Sequence, residues 1–140
     1  MREMVSRNEA ETQKLARDLV QTDQGRIFGL VGELGAGKTT FVQAFLAALG
    51  AAGPFTSPSF LIMKRYPLAG GRYVNAFHID CYRLATAAEL LALNFNKIIS
   101  DGRNVVLIEW ADKVKNLLPP ETIWLTFHHG QQAKERLIQW

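Results

Sequence analysis

The sequence predicts an α/β fold of three layers, in which a mixed sheet has a parallel core and antiparallel hairpin strands. Apolar runs typical of strands alternate with helical segments along the chain. Residues 105–108, Val-Val-Leu-Ile, form a continuous apolar run, which is typical of a strand buried on both faces of a sheet. The glycine pair Gly70 and Gly71 separates two other apolar runs and indicates a β-hairpin.

Length and composition predict one domain, residues 1–140. The chain has 140 residues, of which 48% are hydrophobic and 21% charged, as in an ordinary globular protein. No apolar stretch approaches the roughly 20 residues of a membrane span, and the polar N-terminal segment resembles neither a signal nor a transit peptide. The single cysteine, Cys81, excludes an internal disulfide and suits a reducing compartment. We therefore expect a cytoplasmic protein with no membrane partner.

Capping and turn residues delimit the elements of the first part of the chain. Asn8, followed three residues later by Glu11, has the form of a capping box and begins a predicted helix. Gly50 is placed to end another helix as its C′ residue. With a turn at Asp23, Gln24 and Gly25, these signals predict a helix over residues 8–21, a strand over 27–31 and a helix over 41–49.

The second part of the chain carries similar signals. Thr86 with Glu89 forms a second capping box, and Gly130 indicates a turn. Pro119 and Pro120 would end a helix that precedes them. The predicted elements are strands over 60–66 and 73–79, a helix over 86–93, a turn at 101–102, a strand over 105–108, a helix over 112–118, and a closing strand pair over 123–127 and 136–140.

Residues 32–39 read Gly-Glu-Leu-Gly-Ala-Gly-Lys-Thr, which is the P-loop pattern G-x-x-x-x-G-K-T between a predicted strand and a predicted helix. In such a loop, backbone N–H groups converge on phosphate oxygens at a helix N-terminus whose dipole favours anions. Lys38 would reach the β- and γ-phosphates, and the Thr39 hydroxyl would be a Mg²⁺ ligand. The sequence therefore predicts a site for a purine nucleoside triphosphate.

Hydrolysis of the triphosphate requires a further acid near Mg²⁺ and a group that orients water. Glu109 follows the strand over 105–108, where a Walker B acid belongs, and Asp80 ends the second hairpin strand. Either residue is alternatively an exposed acid at a strand end. The hydroxyls of Ser57 and Ser59 flank a proline, as in a phosphate-sensing switch loop or in a plain turn.

Four motifs occur in a characteristic order. They are the P-loop, Ser-Pro-Ser-Phe at 57–60, His-x-Asp-x-Tyr-Arg-Leu at 78–84, and Glu-Trp-Ala at 109–111. The series resembles the TsaE (YjeE) family of small bacterial ATPases in tRNA threonylcarbamoyladenosine synthesis, over about residues 27–138. The resemblance implies that ATP and Mg²⁺ are bound and that TsaB-like and TsaD-like proteins are partners. ATP hydrolysis would reset this assembly between rounds of modification beside the anticodon, so tRNA would be a partner only indirectly.

The resemblance also implies roles for individual residues. Ser57 and Ser59 would lie in a loop that responds to the γ-phosphate, and Glu109 would position Mg²⁺ or the attacking water. Trp110 would line the nucleotide site or pack in the core. The predicted catalytic residues are Lys38, Asp80 and Glu109; the metal ligands are Thr39, Asp80 and Glu109; the nucleotide-binding residues are Glu33, Leu34, Gly35, Ala36, Gly37, Lys38, Thr39, Thr40, Ser57, Ser59 and Trp110.

Several positions depart from the family pattern without removing a predicted catalytic group. Ser59 stands where Thr is usual, Cys81 replaces an apolar residue, and Ala111 takes the place of a frequent proline. Asn94 stands where glycine is common, and asparagine tolerates the left-handed conformation. Within the His-x-Asp-x-Tyr-Arg motif, His78 is expected either to hold Asp80 or to take part directly in the chemistry.

Two other functions remain open at the level of sequence: a small-molecule P-loop kinase and a nucleotide-sensing module with little turnover. A kinase would require an arginine-rich lid, for which 140 residues leave little room. No arginine finger is evident in the neighbourhood of the P-loop, so turnover by the chain alone is expected to be slow. The net charge of +3, without a dense basic run, permits RNA contact but does not indicate it.

Overall fold

The computed structural model describes residues 1–22, 24–58 and 61–140, and in these it contains seven strands and four α-helices. The strands are β1 (Glu3–Ser6), β2 (Ile27–Gly32), β3 (Met63–Pro67), β4 (Asn75–Asp80), β5 (Asn104–Glu109), β6 (Ile123–His129) and β7 (Arg136–Gln139). The helices are α1 (Glu9–Thr22), α2 (Lys38–Ala48), α3 (Ala87–Leu91) and α4 (Phe95–Ser100), with a 3₁₀ helix at Ala111–Leu117.

The strands form one mixed sheet in the order β1-β7-β6-β2-β5-β4-β3. Its core is parallel, because β2 pairs in parallel with both β5 and β6, and β4 pairs in parallel with β5. The pairs β3–β4, β6–β7 and β1–β7 are antiparallel. The predicted α/β class, with a parallel core and antiparallel hairpin strands, is confirmed.

Hydrophobic side chains pack on both faces of the sheet and give the molecule three layers. On β5, Leu107 belongs to the cluster under α1 and α2, whereas Ile108 belongs to the cluster that contains Phe95 of α4 and Val114 of the 3₁₀ helix. Successive residues of a strand point to opposite faces, so a strand covered on both sides must be apolar throughout. Residues 105–108 are each at most 1% exposed, as the sequence predicts.

Local capping signals act where the sequence places them. The Asn8 side chain accepts a hydrogen bond from the Glu11 backbone N–H at 3.0 Å at the start of α1. Gly50 follows α2 with φ +90°, and hydrogen bonds from its N–H and that of Ala51 satisfy carbonyl groups of the last turn, as in a Schellman motif. Thr86 and Glu89 form the predicted capping box of α3.

Other elements differ from the predictions. Strand β1 is not indicated by its polar sequence and exists because it pairs with β7 at the sheet edge. The short helix α4 was not predicted either; it follows Asn94, whose left-handed φ of +61° matches the expected tolerance of asparagine. The segment predicted as helix 112–118 is a 3₁₀ helix, and β3 begins at Met63, so Leu61 and Ile62 of the predicted strand lie outside it. Asp23, Ser59 and Phe60 lie outside the described residues.

Among the described residues, no helix combines the length and the hydropathy that crossing a membrane requires.

Replacement of Phe95 tests whether the layer that holds α4 unfolds together with the rest of the proposed single domain. Phe95 is fully buried, so Phe95→Ala is expected to lower the free energy of unfolding by about 3–5 kcal/mol. Urea unfolding followed by circular dichroism and tryptophan fluorescence should remain one coincident transition. Leu93→Ala, at a side chain 37% exposed, is the control and should change stability little. Two separate transitions would contradict a single cooperative domain.

Candidate functional site

The P-loop connects β2 to α2 at the carboxyl edge of the parallel strands, and its shape depends on glycine. At Gly32, φ is +149° and a Cβ atom would lie 2.3 Å from the carbonyl oxygen of Phe127. Gly37, the N-cap of α2, has a left-handed φ of +102°. A side chain at either position would be strained, so the loop conformation follows directly from the glycines of the motif.

Lys38 projects into this loop and is 4% exposed. Its Nζ donates hydrogen bonds to the carbonyl oxygens of Gly32 at 2.5 Å and Glu33 at 2.9 Å, and lies 4.1 Å from the ring centroid of Trp110. Burial lowers the pKa of Lys38, and the negative charge of Glu109 is the largest opposing influence. The ammonium group is therefore held in a poorly solvated position where an anion would be attracted strongly.

The two predicted acids meet at the same edge of the sheet, because Asp80 and Glu109 are paired in register on the parallel strands β4 and β5. Glu109 is 3% exposed, and both of its carboxylate oxygens have partners. The Thr39 hydroxyl donates to Oε1 at 3.0 Å, and Nε2 of His78 lies 2.5 Å from Oε2. The carboxylate of Glu109 is thus fixed between the first turn of α2 and a buried histidine.

Asp80 is more accessible than Glu109 and connects to the Ser57 loop. Its Oδ1 accepts a hydrogen bond from the Tyr82 backbone N–H at 3.0 Å, and its Oδ2 accepts one from the Ser57 hydroxyl at 3.4 Å. The expectation that His78 holds Asp80 is wrong for the side chain, because the imidazole bonds to Glu109 instead.

A cleft of about 880 Å³ opens over these groups, within the usual size range of small-molecule sites. Trp110, with φ +56°, forms part of its wall and lies 5.0 Å from the ring of Tyr82. The predicted residues that line it are Leu34, Gly35, Gly37, Lys38, Thr39, Thr40, Ser57, Asp80, Glu109 and Trp110. Glu33 and Ala36 do not line the cleft, and Ser59 lies outside the described residues.

Sequence reasoning missed two parts of this cleft. One is the start of α1, including Asn8 and Thr12, and the other is the β6–β7 hairpin, including Lys134 and Arg136. Arg136 lies beside the P-loop, where its NH2 group donates to the Gly35 carbonyl at 3.0 Å. No motif could reveal this contact between residues 101 positions apart.

The donor set suits Mg²⁺ bound together with phosphate. Thr39, Asp80 and Glu109 offer oxygen atoms, which Mg²⁺ prefers, and Mg²⁺ usually combines one or two carboxylates with water and substrate phosphates. Within the described residues there is no group of three or more His, Cys, Asp or Glu side chains that could hold a metal ion by itself.

Cys81, next to Asp80, serves packing. It is fully buried and belongs to the hydrophobic cluster on the α4 face of the sheet. Burial raises the pKa of its thiol to about 12, and the charge of Asp80 adds to the shift. A thiol with this pKa is a poor nucleophile at neutral pH, which agrees with the structural role expected for it.

The fold and the loop geometry define the class: an α/β protein with a P-loop and two acids at the carboxyl edge of its sheet. Residues 6–138 match the family model described as threonylcarbamoyl adenosine biosynthesis protein TsaE. The chain therefore belongs to the TsaE family.

Curated relatives and a solved structure agree with this membership. The chain is 34% identical to the tRNA threonylcarbamoyladenosine biosynthesis protein TsaE of Bacillus subtilis strain 168, over 91% of this chain and 78% of the relative. It is 34% identical to the protein of the same name from Rickettsia felis, over 86% of this chain and 68% of the relative. The crystal structure of Bacillus subtilis YdiB matches with a TM-score of 0.74 and 29% identity, over 98% of this chain and 82% of that one.

Replacement of His78 tests whether it compensates the buried charge of Glu109. His78→Ala leaves a carboxylate oxygen without its partner, so the free energy of unfolding should fall by about 1–3 kcal/mol. His78→Gln retains an N–H donor and should recover part of the loss. His128→Ala, at an exposed histidine that contacts Gln139, is the matched control. Equal urea midpoints for the His78→Ala and His128→Ala variants would show that the buried contact contributes nothing.

Proposed function

We propose that this chain is an ATP-hydrolysing accessory subunit of the machinery that makes threonylcarbamoyladenosine in tRNA, and that hydrolysis resets this machinery between rounds. Membership of the TsaE family carries the connection to this modification. The observation that carries the ATPase proposal is the convergence of Lys38, Thr39 and Glu109 at the P-loop. Lys38 would bind phosphate, the Thr39 hydroxyl would coordinate the metal ion, and Glu109 would hold that hydroxyl in place.

The chain's own residues would bind the triphosphate through charge and oriented N–H groups. The N-terminal end of α2 presents backbone N–H groups and a favourable dipole to anions. Lys38 would exchange its hydrogen bonds to loop carbonyls for bonds to phosphate oxygens, and its charge would be compensated more fully than it is now. Mg²⁺, when bound, would supply further positive charge to the phosphate oxygens.

The two acids differ in their environment, which suggests different tasks. Glu109 is buried and fixed on both oxygens, so it would hold the Thr39 hydroxyl in place for metal coordination. Asp80 is more accessible and touches Ser57, so it would orient water or a metal-bound water and couple the site to the loop. In this division, Glu109 positions the metal-binding hydroxyl, and Asp80 orients water and couples the site to the Ser57 loop.

Partner proteins would complete the site. The P-loop side chain of Leu34 is 70% exposed, and Tyr82, also on the cleft wall, is 45% exposed; Leu61 beyond the Ser57 loop is 70% exposed. Apolar side chains around a cleft favour contact with another protein. The guanidinium group of Arg136 already bonds to three backbone carbonyls, so it is not free to stabilise a transferring phosphoryl group. We assign the covering role to TsaB-like and TsaD-like proteins in the cytoplasm, with tRNA contacted through them.

A nucleotide sensor with little turnover is the second candidate. The hydrogen bond from Ser57 to Asp80 links the loop to the site, and conformational signalling needs such a link whether or not ATP is cleaved.

Steady-state ATP hydrolysis by the chain, alone and with TsaB-like and TsaD-like proteins, tests the main proposal. We expect slow turnover by the chain alone and a rise of at least about tenfold with the partners, because they would supply further stabilisation of the transition state. Lys38→Ala is the blank and should abolish both activities. Turnover that is fast alone and indifferent to the partners would contradict the proposal.

Glu109→Gln separates the ATPase from the sensor. The amide retains a side chain of the same size at the Thr39 hydroxyl but removes the negative charge that metal placement needs. We expect kcat to fall about 100-fold or more while ATP is still bound, because the loss falls on the chemical step. In the Glu109→Gln variant, ATP should still cause association with the partners, measured by analytical ultracentrifugation. The complex should not dissociate afterwards, because the bound ATP is not cleaved. Unchanged release of the partners after ATP addition would favour the sensor.

A further inference from the structure

Two residues of the β6–β7 hairpin bond to backbone carbonyls of the P-loop. Nε2 of His129 lies 3.1 Å from the carbonyl oxygen of Leu34, and a carbonyl can only accept, so Nε2 carries the hydrogen. NH2 of Arg136 donates to the next carbonyl, that of Gly35, at 3.0 Å. His129 and Arg136 are paired in register across the hairpin, so they approach the loop from adjacent positions.

Bonds within the hairpin hold the guanidinium group of Arg136 in place beside the P-loop. NH1 of Arg136 donates to the carbonyl oxygens of Ala133 at 2.9 Å and Glu135 at 2.8 Å, both within the hairpin. The imidazole of His129 has the exposed carboxylate of Glu33 3.7 Å away as a second neighbour. The two donors are therefore attached to a folded hairpin rather than to flexible side chains that move independently.

The orientation of a peptide carbonyl determines the orientation of the N–H group in the same peptide. In a planar trans peptide the two groups point in opposite directions. The carbonyl held by His129 shares its peptide with the Gly35 N–H, and the carbonyl held by Arg136 shares its peptide with the Ala36 N–H. The Ala36 N–H bonds at 3.1 Å to the Glu33 carbonyl, which also accepts from Lys38, so it faces the side of the loop where the ammonium group lies.

We propose that His129 and Arg136 are positioning residues for phosphate binding: by bonding to the carbonyls of Leu34 and Gly35, they fix the two peptides that carry the Gly35 and Ala36 N–H groups in the loop that would bind the phosphates. This inference rests on the proposed binding of ATP. It assigns the C-terminal hairpin, which carries no nucleotide-binding motif, a part in setting nucleotide affinity.

The affinity of ADP and ATP, measured by isothermal titration calorimetry with Mg²⁺, is the first readout. We expect His129→Ala and Arg136→Ala each to weaken both nucleotides about tenfold, the effect of losing one charge-assisted or well-placed hydrogen bond. His129→Gln retains an N–H donor and should restore most of the affinity, and Arg136→Lys should be intermediate. His128→Ala is the control for histidine, and Arg26→Ala, at the far end of β2, is the control for an arginine that bonds a carbonyl.

Backbone amide resonances of Gly35 and Ala36 are the second readout, because a purely structural loss would not change them selectively. On addition of ADP both should move downfield in the wild-type protein, and the shift at Gly35 should be lost in His129→Ala while that at Ala36 should be lost in Arg136→Ala. If an alanine variant fails to fold, the glutamine and lysine variants decide the question. Wild-type affinity and wild-type amide shifts in all variants would overturn the positioning role alone. Absence of nucleotide binding by the wild-type protein would overturn the proposed function with it.

Discussion

The parallel pairing of β4, β5 and β2 is the constraint on which the site depends. Parallel strands place their carboxyl ends at one edge of a sheet, which is where ligands bind in α/β proteins. The register pairs Glu109 with both Asp80 on β4 and Leu30 on β2. The two acids therefore meet beside the loop that begins at Gly32. A shift of one residue in either pairing would turn an acid to the opposite face.

Burial of charge is the second property that organises the site. An ionised carboxylate and an ammonium group lose several kcal/mol of solvation each when buried without compensation. Glu109 bonds to Thr39 and His78, whereas Lys38 bonds to neutral carbonyls and lies over an aromatic ring, and the nearby negative charges, of which Glu109 is the largest, offset only part of the effect of its burial. The lowered pKa of Lys38 expresses this incomplete compensation. A phosphate group would supply the missing negative charge, so the protein alone already favours an anion at this position.

Local signals in the sequence were sufficient to predict most of the fold, together with the P-loop and the two acids of the candidate site. Glycines with positive φ and capping boxes act through neighbouring residues, so a spacing of a few positions reveals them. The contact between His78 and Glu109 joins residues 31 positions apart, and that between Arg136 and Gly35 joins residues 101 apart. Neither has a fixed spacing that a sequence pattern could register. Strand β1 was not predicted for the same reason, because its partner strand β7 lies at the other end of the chain.

The position of Arg136 shows why a cationic side chain near a P-loop does not by itself make a complete catalytic site. A guanidinium group has five N–H donors in a fixed plane, and stabilisation of a transferring phosphoryl group requires that they face the phosphate. Here three of the five donors bond to backbone carbonyls of the hairpin and of Gly35. The residue that we propose to position the loop for binding therefore has only part of its guanidinium group left for a phosphoryl group. This agrees with the proposal that turnover by the chain alone is slow and that partner proteins complete the site.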